Sequence, residues 1–577
     1  LHPDEIVRKI LEGRGIASEE DIREFLSEKP KLAHDPFLLP DAEAGADFLI
    51  GALSRGDRIC VYGDYDVDGI CGTAMLVLFF REAARAFGVE PSVTYYIPSR
   101  IEEGYGLNNA ALLAVREEGA DVVVTVDCGS VSAVEAAYAK EIGLEMVITD
   151  HHDPDMGSLP DCLHINPKLK GAAGETYPFE RLSGSGVAFK LCGAIVGRLE
   201  ARGALGDALT TGGVSTLRSA LRSFVDLACV ATIADVMPLV DENRTLVKYG
   251  LSMLGRGSRP AFRELLMAAD IDPARLNVRD VAFGIAPRLN ALGRLGDASE
   301  GVEFFLTEDA EKMRELAVRM DMMNTERRRI QDECLDACMA IYETGLDGAG
   351  ESRHRFLLLR PESAHEGVAG IVAGKVREET GWPCAVLTES GDRSEEGGFF
   401  LKGSARSSGR LDLIGLLRQH AGMFERLGGH AAAAGFLIKA DNEGPLREAL
   451  SGELDSLLAK DPDLLDCKEN PELEIKSCDI GLPLAEAIEE LAPFGAGNQK
   501  PLLSLAVPSA EISNVRSIGR GGKHVRFTAG GISCVFFGGG KTVFPEDGMV
   551  RIVGCPEANE WGGRRSVQLA VTYVDML

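Results

Sequence analysis

Apolar and polar positions along this chain follow two different periods. In the first half, short β-branched runs at 58–63 (RICVYG), 92–97 (SVTYYI), 121–126 (DVVVTV) and 145–149 (EMVIT) are separated by segments of helical period. Alternation of that kind predicts an α/β domain built on a parallel sheet. Strongly apolar helical stretches follow at 187–196 and 224–233, and from 297 to about 342 the pattern is charged and helical, with Arg327, Arg328 and Arg329 in a row. This reads as a long helix connecting two bodies. A second α/β unit begins near 355 (RFLLLR) and continues through 367–376, 384–387 and 399–402. The acidic stretch 460–474 (KDPDLLDCKENPELE) reads as a linker. Beyond it, short strands with glycine-rich turns at 524–528, 532–537 and 566–573 predict a small β-barrel. The expected organisation is an N-terminal helical segment (1–45), a first α/β domain (46–296), a connecting helix (297–345), a second α/β domain (346–460), a linker (461–498) and the barrel (499–577).

Composition narrows the class. With 577 residues, 45% hydrophobic and 26% charged, the chain has material for several ordinary cores and no bias towards disorder. No apolar run of about 18 residues is present, and the first residues lack a signal-peptide layout, so a soluble cytoplasmic protein is expected. Thirteen cysteines without a zinc-type CxxC pair suit a reducing compartment. Cys334 and Cys338, one helical turn apart, read as ordinary helix residues. The formal charge of −28 argues against a broadly basic nucleic-acid surface, while leaving room for a local basic groove and for acidic metal ligands.

Four motifs place ligand-capable side chains at strand or helix ends, where open α/β sheets carry their sites. The first, Gly63-Asp64-Tyr65-Asp66-Val67-Asp68-Gly69, projects alternate carboxylates from one turn. Charge so concentrated calls for cations, although a solvated acidic loop has a similar look. An EF-hand reading fails on the missing closing Glu and flanking helix. The second motif, Val126-Asp127-Cys128-Gly129, could equally be a helix cap. The third, Thr149-Asp150-His151-His152-Asp153, is hard to explain without metal, since imidazole beside carboxylate is a normal divalent-cation set. The fourth, Ala234-Asp235-Val236-Met237-Pro238, ends an apolar helical run. Mixed carboxylate and imidazole donors favour manganese or magnesium over structural zinc, and five or more of them can hold two ions. Phosphoester or phosphoanhydride hydrolysis is the reaction class this implies.

In that order, DYDVDG, VDCG, DHH and ADVMPL resemble the signature set of the DHH phosphoesterases. Further segments resemble the RecJ branch: GYGLNN (104–109), APRLNALGRLGDAS (286–299), EGVAGIVAGKV (366–376), LKGSARSS (401–408), LGGHAAAAGF (427–436), PFGAGN (493–498) and NEWGGRRSVQL (559–569). Ala364 and Leu427 depart from the aromatic residues more usual there. The resemblance implies an α/β fold with DHH and DHHA1 domains joined by a long helix, plus a C-terminal OB-type barrel that guides single-stranded DNA. It implies Asp66, Asp68, Asp127, His151 and Asp235 as metal ligands, with Asp127 as the bridge, and Asp64 and His152 as a further catalytic pair. Arg100, Arg288, Asn290, Ser404, Arg406 and His430 match substrate-binding positions, and Tyr105 a base-stacking position. The activity implied is two-metal, 5′-to-3′ hydrolysis of single-stranded DNA by a monomer serving recombination and repair. A single-strand-binding protein and a RecQ-type helicase are the implied partners. Two rivals stand beside it: a phosphodiesterase or phosphatase of short oligonucleotides, disfavoured by the strand-guiding C-terminal region, and an inactive replication scaffold, disfavoured by the intact acidic motifs.

Overall fold

In the computed structural model of the chain the described residues are 2–100, 102–171, 174–202, 213–345, 354–393, 398–466, 470–561 and 564–577. They divide into two compact units, one of Leu1–Tyr96, Gly106–Ala286 and Glu469–Leu577, the other of Ile97–Tyr105 and Pro287–Lys468.

The apolar runs of the first half become strands β1 (Ile59–Tyr62), β2 (Val93–Tyr96), β3 (Val122–Val126) and β4 (Glu145–Thr149), joined at one edge by β5 (Leu163–Ile165). Their order is β2-β1-β3-β4-β5 and every pairing is parallel. Strands β1 and β3 are buried along their whole length, which is why they read as continuous apolar runs without alternation. Helix Val67–Ala86 follows β1 and is apolar around most of its circumference, with Ile70, Met75, Leu76, Phe79 and Phe80 all fully buried. It packs against helices Gly184–Ala201 and Val225–Ala234, so it is an interior helix rather than a surface one. The sheet's C-terminal edge therefore opens onto helix N-termini and loops.

The second unit carries β6 (Leu357–Leu359), β7 (Cys384–Arg393), β8 (Phe399–Arg406), β9 (Arg426–Gly429) and β10 (Ala433–Lys439) in the order β6-β7-β8-β10-β9. Only β6 and β7 pair in parallel. Alternate residues separate two cores: Leu358, Ala385 and Leu387 face Leu446, Leu450 and Leu454, whereas Leu357, Leu359, Cys384 and Val386 face Val368, Val372, Cys334 and Cys338. The connecting helix is 35 residues long but begins at Ala310, not at 297. The Asp309 carboxylate accepts from the Glu311 and Lys312 amides and starts it afresh, after a separate helix Ser299–Leu306.

The last sheet, back in the first unit, contains β11 (Leu473–Ile475), β12 (Leu503–Pro508), β13 (Ile512–Ile518), β14 (His524–Ala529), β15 (Ile532–Phe536), β16 (Met549–Trp561) and β17 (Arg564–Met576), ordered β11-β12-β16-β17-β15-β14-β13. Among the described residues no pairing joins β13 to β11, so the seven strands form a sheet with two edges rather than the closed barrel expected. The linker reading of 461–498 also needs correction. It holds β11 and helix Leu482–Glu489, whose Ile475, Leu484, Ile488 and Leu491 are buried. Acidic neighbours masked that apolar spacing. Residues Ile6, Val7, Ile10 and Leu11 of the first helix, Pro3–Gly13, complete the same core. Each such side chain is worth about 1.5–3 kcal/mol when fully buried. Among the described residues no helix is long and apolar enough to cross a membrane.

Candidate metal centre and substrate-binding residues

The turn after β1 is shaped by its own carboxylates. Asp66 caps helix Val67–Ala86, its Oδ1 accepting from the amides of Asp68 at 2.8 Å and Gly69 at 3.1 Å. A Cβ on Gly69 would lie 2.4 Å from the Asp64 carbonyl oxygen, so only glycine closes this turn. Asp68 is 1% exposed, and both its carboxylate oxygens accept amides from the start of helix Gly184–Ala201, Gly184 and Ser185, each at 2.7 Å. Two helix N-termini thus converge on one acidic turn and lower the cost of burying its charge.

At the end of β3, Asp127 takes a left-handed backbone, φ 64°. A Cβ on Gly184 would come within 2.6 Å of the Asp127 Cβ, so the helix start and this aspartate are in contact. After β4, His151 is buried, with Nε2 3.1 Å from Asp127 Oδ1, 3.5 Å from Asp235 Oδ2 and 3.9 Å from Asp68 Oδ2. Asp235 ends helix Val225–Ala234, and Val236 after it is a β-branched residue at φ 56°. All seven expected catalytic residues, Asp64, Asp66, Asp68, Asp127, His151, His152 and Asp235, therefore meet within the first unit.

Their donor atoms fall into overlapping groups, each within 4.8 Å: Asp64, Asp66 and Asp127; Asp68, His151 and Asp235; and Asp127, Asp150, His151 and His152. Asp150 is already saturated. Its carboxylate accepts from the amides of Ser130 (2.9 Å), His151 (2.7 Å) and His152 (3.2 Å) and from the His152 ring Nδ1 (2.8 Å). That contact fixes the His152 tautomer with Nε2 outward. Burial would lower the His152 pKa, but the Asp150 hydrogen bond and nearby carboxylates prevail and hold it up at about 9. Burial also works to raise Asp150, yet the His152 hydrogen bond keeps it well below the usual carboxylate range.

The other acids go the opposite way. Burial, then the charges of Asp68, Asp66, Asp64 and Asp235, push Asp127 well above the carboxylate range. Burial, then Asp68 and Asp66, push Asp235 up to about 8. Burial lowers His151. Among the described residues His151 Nε2 and Asp235 Oδ2 are buried atoms without a hydrogen-bond partner. Uncompensated donors of this kind fit divalent cations, which supply the missing positive charge and coordination.

The expected substrate residues lie in the second unit. Arg288 is buried and donates to Asp321 Oδ1 at 3.0 Å and 2.7 Å. Asn290 and Arg100 are half-buried, and Tyr105 is exposed. The Arg406 guanidinium reaches neutral acceptors, the Ala405 carbonyl at 2.8 Å and Ser404 Oγ at 3.4 Å, and burial lowers its pKa. His430 is exposed at the β9–β10 turn, its Nδ1 accepting the Ala432 amide at 3.3 Å.

A protein from Bacillus subtilis named single-stranded-DNA-specific exonuclease RecJ is 34% identical over 99% of this chain and 68% of its own length. A protein of the same name from Dickeya dadantii is 31% identical over 99% of this chain and 96% of its own length. The chain belongs to the RecJ family. A RecJ crystal structure from Thermus thermophilus, in complex with Mn2+, superposes with a TM-score of 0.76 at 28% identity over 99% of this chain and 75% of that one. The DHH family N-terminal domain matches residues 58–212, the DHHA1 domain 354–456 and the RecJ OB domain 472–573. The α/β, DHH-plus-DHHA1 and OB expectations are thereby borne out, with the open sheet noted above.

Several residues that shape this RecJ-family site escaped the sequence reading. Ser130 and Asn166 brace the His152 loop, Asn166 Nδ2 donating to Ser130 Oγ at 2.8 Å and to the His152 carbonyl at 2.9 Å. Asn243 Nδ2 donates to the carbonyls of Arg181 (2.7 Å) and Pro238 (3.1 Å), tying the loop before Gly184 to the loop after Asp235. None sits in a motif of clustered ligands, and only their polar identity next to apolar runs was visible.

Proposed function

We propose that this chain is a single-stranded-DNA exonuclease that hydrolyses phosphodiester bonds from the 5′ end with two divalent ions, manganese or magnesium. The observation that carries this is the buried set of Asp66, Asp68, Asp127, His151 and Asp235, whose carboxyl groups are raised by mutual repulsion and whose donor atoms form overlapping groups around Asp127. These five would hold the ions, with Asp127 shared between them and Asp64 alongside. Bound ions would activate water and stabilise the leaving oxygen. His152, protonated and pinned through Nδ1 by Asp150, directs its free Nε2–H away from that carboxylate and can donate to a phosphate oxygen.

In the second unit Arg406 faces only neutral acceptors, which leaves its charge available to a 5′ phosphate. Arg288 would have to exchange Asp321 for phosphate. Arg100, Asn290, Ser404 and His430 add hydrogen-bonding groups and Tyr105 an exposed ring. The domain reading is DHH domain, connecting helix, DHHA1 domain and OB-type sheet. The setting is repair and recombination in the cytoplasm, as a monomer supplied by a single-strand-binding protein and a RecQ-type helicase. End-labelled single and double strands incubated with manganese, magnesium or chelator test the proposal. Cleavage of single strands from the 5′ end, lost with chelator, is the expected result, and degradation from the 3′ end or indifference to metal overturns it.

A further inference from the structure

Two cations flank the His151–His152 loop in a chain whose formal charge is −28. Lys168 lies just past β5, and its position is fixed from the backbone: its amide donates to Asn166 Oδ1 at 2.9 Å, while Asn166 Nδ2 donates to the His152 carbonyl. Its ammonium donates to Asp153 Oδ1 at 2.7 Å. Asp153 directly follows the paired histidines, and its side chain is 92% exposed, so the ion pair stands in water and contributes little. Arg181 comes from the other side. It lies shortly before Gly184, whose amide holds Asp68, and its carbonyl is anchored by Asn243. The Arg181 side chain is exposed and, among the described residues, makes no hydrogen bond or salt bridge. The hydrogen bond from Lys168, more than the more distant charge of Arg181, keeps Asp153 below its ordinary pKa, which shows that both cations converge on this carboxylate.

We propose that Lys168 and Arg181 form a phosphate subsite beside the metal centre, in which Lys168 exchanges the exposed Asp153 carboxylate for a backbone phosphate of the DNA strand while Arg181 clasps the same group. The inference rests on the nuclease reading and deepens it by naming residues of the first unit that hold the strand next to the reacting phosphate. Exchange is easy because the Lys168 backbone is braced by Asn166 and only the flexible stem must move. A phosphate carries the charge that Asp153 offers and more acceptor oxygens. Asp153 thus keeps the lysine extended beside the loop when no strand is bound.

The test uses the full chain. Binding of a fluorescent single strand is read by anisotropy with calcium in place of manganese, over a range of salt, and manganese binding is read separately by calorimetry. Replacing both cations, Lys168→Ala with Arg181→Ala, is expected to weaken DNA binding about tenfold and to lower the slope of log K against log salt by about 1.4, the value for two single-strand phosphate contacts. Manganese affinity stays at the wild-type level, and Lys168→Arg restores most of the binding. Asp153→Asn is the deciding control: it removes the ion pair but spares the lysine, so binding is kept or strengthened. Equal losses in Asp153→Asn and Lys168→Ala would mean that the pair merely braces the loop, and an unchanged salt slope in the double variant would mean no phosphate is held there. Either result overturns the subsite while leaving the nuclease reading intact. A wild type that neither binds nor cleaves single strands overturns both.

Discussion

At the ends of β1, β3 and β4 the chain gathers Asp64, Asp66, Asp68 and Asp127 beside a neutralised His151, and burial with mutual repulsion drives their carboxyl groups towards protonation. The other unit also buries charge, but settles it internally. Arg288 meets Asp321, and Arg327, 9% exposed on the long helix, donates to Asn324 and Gln331 at 2.9–3.2 Å. One region thus carries a deficit of positive charge that only an added cation can repair, while the other is closer to self-sufficient. The contrast teaches where chemistry sits: in the unit that folds with its electrostatics unfinished.

The sharpest way to break that comparison is to remove a repelling carboxylate. Asp127→Ala is expected to cut turnover about a thousandfold or more, since several kcal/mol of metal-borne charge stabilisation are lost. In chelator the same variant should melt no lower than wild type, because a destabilising charge has gone. Calorimetric melting with and without chelator checks this, and a strongly lowered melting point in chelator would mean that Asp127 stabilises the fold. Next in size is Gly184→Ala. Its added methyl must displace Asp127, and a shift of that order is expected to cost about a hundredfold in kcat, readable in single-turnover hydrolysis.

A pH measurement sharpens the same contrast. Asp235, with its folded pKa at about 8 against an ordinary carboxylate value when unfolded, binds its proton more tightly in the folded state. The metal-free protein should therefore lose stability as pH rises from about 4 through 8, and the stabilisation by manganese should grow over the same window as bound ions displace protons. Saturating manganese at about a hundred times its Kd contributes about 2.7 kcal/mol, so the difference in melting temperature with and without the ion should be clearly larger at pH 8.5 than at pH 6. The smallest expected effect lies in the self-sufficient unit. Arg406→Ala should raise KM for 5′-phosphorylated strands about tenfold, the equivalent of about 1.4 kcal/mol, with manganese binding untouched. Steady-state kinetics on 5′-phosphate and 5′-hydroxyl strands would show it, and equal effects on both would deny Arg406 a role at the chain end.

Much of this was legible in the chain itself, for a physical reason. Strand β4 matches its expected span, and β1, β2 and β3 are each shorter by one residue at either or both ends, because fully buried strands leave uninterrupted apolar runs. The acidic motifs were legible because ligands after a strand cluster in sequence. What stayed hidden were contacts across long separations. Nothing near Asn243 announces that it joins two loops of the site, and nothing in KDPDLLDCKENPELE announces that Leu473 and Ile475 begin a sheet. The acidic neighbours that suggested a linker are the solvent face of that strand. The start of the long helix was misplaced because Asp309, one acid among many, happens to be the cap.

The first helix offers a consequence for how the protein is made. Ile6, Val7, Ile10 and Leu11 find their partners among residues beyond 470, and Arg14 donates to Glu472, Asn498 and the Gln499 carbonyl, 458 to 485 positions further along. At ribosomal rates of about 5–20 residues per second, that amphipathic segment emerges and then waits roughly half a minute to two minutes before its binding surface exists. Throughout that interval its apolar stripe is open to other nascent chains. Slowing translation late in the message should therefore lower the soluble yield of this protein more than the same delay placed before the first strand.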